Sequence, residues 1–122
     1  MPKLRQWRRS STAPTKPDEV VNGIKGSYWL DLRPYAKGGV APKLKIPILV
    51  AQGERDYQVI LADFAGWKAV LSGKKNATFK LFPELNHHFM PGKGSSTPKE
   101  YETPNHVAKA VIDELAQWIS TH

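Results

Sequence analysis

The sequence of 122 residues predicts an α/β fold, and three stretches carry that prediction. Ile46-Pro47-Ile48-Leu49-Val50-Ala51 is a nearly unbroken apolar run, which a strand needs when helices cover both faces of a parallel sheet. Ile60, Phe64, Trp67 and Leu71 then recur at i, i+4, i+7 and i+11, a helical stripe. Ala77 through Phe82 is a second run of β-rich composition, closed by Pro83. Strand, helix and strand within residues 46–82 make a βαβ unit.

The remaining elements follow in order. Residues 1–17 read as an irregular basic leader, and residues 18–122 as one domain. Asp18 and Glu19 open a short helix ending near Gly23 or Gly26. Tyr28-Trp29-Leu30-Asp31-Leu32 is a second helical turn, stopped by Pro34, and Gly38-Gly39 and Pro42 break the chain again. Gly53 ends the first strand, and Gly73 supplies the C-terminal stop of the helix that follows. After a turn-rich stretch containing Pro91, Gly92, Gly94 and Pro98, Thr103 is an expected N-cap with Pro104 at the first helical position. Val107, Val111, Leu115, Trp118 and Ile119 then predict the buried stripe of a closing helix.

Composition narrows the chemistry. With no Cys, the chain has no disulfide, thiolate metal site or cysteine nucleophile, and it fits a reducing compartment; the expected location is the cytoplasm. No run approaches the ~20 apolar residues of a membrane span. No apolar run follows the basic start, so no secretory signal is read there. The net charge of +7 suggests a polyanion partner until it is located. Lys3, Arg5, Arg8, Arg9 and Lys16 account for five of those charges with no acid among residues 1–17. The excess is a property of the leader, so nucleic acid is a weak candidate partner, through residues 1–17 alone. Four scattered His with no ligand spacing make no metal site, and no cofactor is expected. Gly92-Lys93-Gly94-Ser95-Ser96-Thr97 lacks the order and the strand–helix context of a phosphate loop.

Two residues stand where chemistry gathers. Parallel strands end on one edge of their sheet, and ligands bind in the crevice beyond it. Asp56 lies just past the end of the first strand, and His87 just past the end of the second. A carboxylate beside an imidazole fixes its tautomer and stabilises the imidazolium formed when it accepts a proton. Asp56 alone also reads as a turn or helix cap. Asp63 reads as a first-turn acid complementing the helix dipole, His88 as a wall or surface residue, and His106 as part of the first turn of the closing helix.

Residues 46–89 resemble the C-terminal part of an α/β-hydrolase of the dienelactone-hydrolase or serine-peptidase-like kind. Gly53-x-x-Asp56-x-x-Val59 is similar to the family's acid-bearing loop, and Pro83-x-Leu85-Asn86-His87 to its histidine-bearing loop. A looser likeness runs from about Tyr28 to the final helix. The resemblance implies that Asp56 is the triad acid and His87 the general base. The family's nucleophile sits in Gly-x-Ser-x-Gly on a strand-to-helix turn. That motif is absent: the serines are Ser10, Ser11, Ser27, Ser72, Ser95, Ser96 and Ser120, and none is so framed. The oxyanion-hole turn is absent as well.

The expected fold is therefore a partial α/β-hydrolase-like βαβ-loop-α unit. It has a short parallel sheet and flanking helices, and it lacks the N-terminal half or more of the family's domain. Two strands cannot form a stable sheet alone, so a homodimer or a complementing hydrolase chain is expected to cover the exposed edge. The functional expectation is a truncated hydrolase-like protein that keeps the acid and histidine and is not catalytic alone. The alternatives are a protein- or nucleic-acid-interaction module on the same scaffold, and an esterase or peptidase completed by another chain.

Overall fold

Val20 and Val21 are β-branched and favour an extended backbone, and they form the first element, β1 (Val20–Val21). It pairs antiparallel with β2 (Ile24–Lys25), Val20 opposite Lys25 and Val21 opposite Ile24. The computed structural model describes residues 14, 16–21, 23–32 and 37–122, which fall into two units, residues 1–44 and 45–122. Most of the basic leader and the helix stop expected at Pro34 lie outside the described residues. The short helix expected to open at Asp18 is replaced by this hairpin. Gly23, at φ +79°, supplies a left-handed backbone that turns the strand instead of continuing a helix.

The helical turn expected around Tyr28–Leu32 is present as α1 (Gly26–Leu32). Trp29 is buried, and Tyr28 meets its ring edge-on at 5.2 Å. A short α2 (Lys37–Val40) runs into a 3-10 turn at Ala41–Lys43.

The second unit carries the βαβ unit. Pro47 has no N–H to give to a ladder, and β3 (Ile48–Gly53) starts after it, two residues later than the apolar run. Asn76 holds that entry, its backbone carbonyl accepting from the Ile48 N–H (2.8 Å) and its side-chain amide donating to the Ile46 carbonyl (2.6 Å). Helix α3 (Leu61–Val70) follows, with Asp63 in its first turn accepting from the Ile60 N–H at 3.1 Å. Phe64 and Leu71 are buried, and Phe64 meets Phe79 edge-on at 6.2 Å. Gly73 adopts φ +76° beyond the helix end. β4 (Ala77–Phe82) lies parallel to β3, in register from Ile48 opposite Ala77 to Gly53 opposite Phe82. The two strands therefore stop at the same level.

The closing helix departs from expectation at its start. α4 spans Lys109–Thr121, beginning five residues after Pro104. The Thr103-Pro104 signal is overridden by tertiary hydrogen bonds. Asn105 donates to the Pro91 carbonyl (3.2 Å) and the Ala108 N–H to the Phe89 carbonyl (2.9 Å), holding the approach against the preceding loop. His106 accordingly lies before the helix and is exposed. The apolar stripe is not uniformly buried either. Val111 is buried, whereas Val107, Leu115 and Ile119 are exposed, Ile119 by 69%. Lys80 on β4 pairs with Glu114 on α4 at 3.0 Å. No helix among the described residues is long and apolar enough to cross a membrane.

Candidate functional site

The site begins where β3 meets the loop after β4. A Cβ on Gly53 would lie less than 3.0 Å from the carbonyl oxygens of Leu85 and Asn86, so only glycine allows this approach. Backbone hydrogen bonds from Glu54 to Phe82 and from Arg55 to Leu85, both 2.9 Å, bind the two loops side by side.

Asp56 is buried, its side chain 6% exposed. Oδ1 accepts from the N–H groups of Gln58 and Val59, both at 2.8 Å. Oδ2 lies 2.8 Å from His87 Nδ1. One oxygen therefore caps the turn, and the other meets the imidazole. Gln52, buried in β3, donates to the Val59 carbonyl at 2.8 Å and ties the acid loop back to its strand.

His87 is held by its neighbour. Asn86 is 1% exposed, and its Oδ1 accepts from the N–H groups of His88 (3.0 Å) and Met90 (3.1 Å). Phe89 takes φ +56°, a left-handed conformation unusual for a bulky residue. Its ring meets Phe82 edge-on at 5.9 Å, so packing helps hold the bend. The His87 side chain is 36% exposed. With Asp56 ionised, the hydrogen bond assigns the proton to Nδ1 and leaves the lone pair on Nε2. In that tautomer Nε2 is the ring nitrogen with acceptor capacity. His88 is exposed and stacks on Tyr101 at 4.3 Å, a surface residue beside His87.

A set of residues that sequence reasoning missed surrounds the pair. The Arg55 guanidinium donates to the backbone carbonyls of Glu84 (3.3 Å), Lys93 (3.3 Å) and Gly94 (2.6 Å), and forms an ion pair with Glu100. The other Glu100 oxygen accepts from Asn86 (3.1 Å) and Ser96 (2.9 Å). The Asn86 amide holds the Glu100 carboxyl below its ordinary range, Ser96 and Arg55 add to this, and burial opposes it. The glycine-rich stretch is thus no anion cradle: Lys93 and Gly94 present carbonyls to a cation. Ser72, Ser95, Ser96 and Ser120 are described in this unit, and none is hydrogen-bonded to His87; the Ser96 hydroxyl is committed to Glu100.

No family model matches the chain, and no solved structure matches it significantly. Among curated proteins it is similar to Esterase EstD of Thermotoga maritima, 45% identical over 103 residues. That stretch covers 84% of this chain and 25% of the esterase, so the chain spans about a quarter of the length of this relative.

Proposed function

We propose that residues 45–122 supply the acid and general base of an esterase-type serine hydrolase site and do not hydrolyse esters alone. In this reading His87 Nε2 removes the proton from a serine hydroxyl as that oxygen attacks an ester carbonyl, and Asp56 stabilises the imidazolium. The imidazolium then returns the proton to the departing alkoxide. The serine and the oxyanion donors come from polypeptide other than these 122 residues. The observation that carries the reading is the 2.8 Å contact of Asp56 Oδ2 with His87 Nδ1, with Oδ1 fixed by two backbone donors. The similarity to an esterase over most of the chain supports the same class. Without nucleophile and oxyanion donors, a triad loses most of its rate.

The test uses a fluorophosphonate probe and a nitrophenyl ester. The chain alone is expected to show no labelled serine. A chimera in which it replaces the matching quarter of Esterase EstD is expected to label and turn over, and to lose both on His87→Ala. A folded chimera that stays inactive beside an active parent overturns the reading, as does a labelled serine in the chain alone. A docking module on the same scaffold is the second reading, favoured by the exposed Ile46, Ile112 and Ile119.

A further inference from the structure

We infer that Glu100 is a positioning residue for His87, acting through Arg55 and Asn86, which are the chain neighbours of Asp56 and His87. The inference rests on reading Asp56 and His87 as an acid–base pair. Arg55 precedes Asp56 in the acid loop, and Asn86 precedes His87 in the histidine loop. Glu100 comes from a third segment, the 3-10 turn Pro98–Glu102, and binds both. One carboxylate oxygen takes the Arg55 guanidinium. The other takes the Asn86 amide and the Ser96 hydroxyl.

Each neighbour is itself a fixing device. Asn86 holds the backbone of His88 and Met90 through Oδ1, so the orientation of its amide sets the bend from which the imidazole projects. Flipping that amide would place its NH2 against two N–H donors and its oxygen against the Glu100 carboxylate. Glu100 therefore selects one orientation of Asn86. Arg55 carries the other half: its guanidinium spans the carbonyls of Glu84, Lys93 and Gly94, joining the acid loop to both ends of the segment that contains His87. Gly92 makes room, because a Cβ there would overlap the guanidinium.

All three donors facing Glu100 require an acceptor on both carboxylate oxygens. Glu100→Gln keeps the shape but turns an NH2 toward Arg55 or toward Asn86 and Ser96, whichever way it rotates. The readout is the tautomer of the neutral His87 ring in the full 15N-labelled chain, measured by ring-nitrogen NMR. The wild type is expected to carry its proton on Nδ1. Glu100→Gln is expected to lower the ratio of Nδ1–H to Nε2–H forms about tenfold, the scale set by the net loss of one hydrogen bond. β3–β4 amide shifts should stay in place. Ser96→Ala, which removes a donor without touching Arg55 or Asn86, is expected to leave the ratio unchanged.

If the glutamine variant does not fold, Glu100→Asp decides the matter. It keeps the charge, withdraws the carboxylate by one methylene, and is expected to shift the ratio in the same direction by less. An unchanged ratio in the folded Glu100 variants overturns the inference. Asp56→Asn separates the two levels. If it too leaves the ratio unchanged, the acid–base pair itself fails; if it alone changes the ratio, only the role of Glu100 fails.

Discussion

Asp56 shows how little separates a structural carboxylate from a chemical one. Its Oδ1 makes the kind of turn-capping contacts found after many strands, and Oδ2 meets His87 Nδ1, the contact on which the proposed acid–base role rests. Glu100 is a different case, because its ionisation is coupled to folding. Its carboxyl is held below its ordinary value of 4.5, first by the Asn86 amide. A lowered folded-state value means that the unfolded chain binds the proton more tightly. The stabilisation is therefore fully present above the unfolded value and disappears as pH falls through the folded one. The urea midpoint difference between wild type and Glu100→Gln should stay constant from neutral pH down to about 5.5, roughly one unit above the unfolded value. It should shrink in more acidic solution, and a difference that grows on acidification would contradict the sign.

At the scale of elements, β3 meets the histidine loop backbone against backbone at Gly53. Gly53→Ala has no room for its methyl, because two backbone carbonyls stand in its place and neither can rotate away. Such overpacking against backbone should cost about 2–4 kcal/mol. Thermal denaturation should show this as a fall of roughly 10 °C or more in a chain of this size. The elements also show what the sequence could reveal. Asp56 and His87 were legible because strand ends in a parallel pair share an edge, and both strands carry strong composition signals. The Arg55–Glu100–Asn86 set was not, since Arg55 spends most of its donors on the carbonyls of residues 84, 93 and 94. Backbone carbonyls leave no side-chain signature. The start of α4 departs from the local signal for a related reason: Thr103-Pro104 is a sound local cap, but Ala108 and Asn105 bond to the loop at Phe89 and Pro91 instead. The hairpin at Val20–Lys25 was missed because two acids beside a polar turn resemble a helix start.

For the whole molecule, the exposed apolar side chains set the main expectation. Ile46, Ile112 and Ile119 are each more than half exposed, although large aliphatic side chains are usually buried. A second copy of the chain is the proposed cover, and light scattering at micromolar concentration should give twice the chain mass. Ile119→Lys should return the monomer while changing its unfolding free energy by no more than about 0.5 kcal/mol, the range for exposed sites. A monomeric wild type removes the proposal. The common level at which β3 and β4 end has a further consequence for inheritance. Among the described residues, the hydrogen bonds to the side chains of Asp56 and His87 join Asp56 to Gln58, Val59 and His87, and none comes from the crossover helix α3. Residues 61–76 bear on the pair through the packing and register of the two strands, by way of Phe64, Leu71 and Asn76. What that stretch must preserve is the return of the chain to the same rung of the ladder.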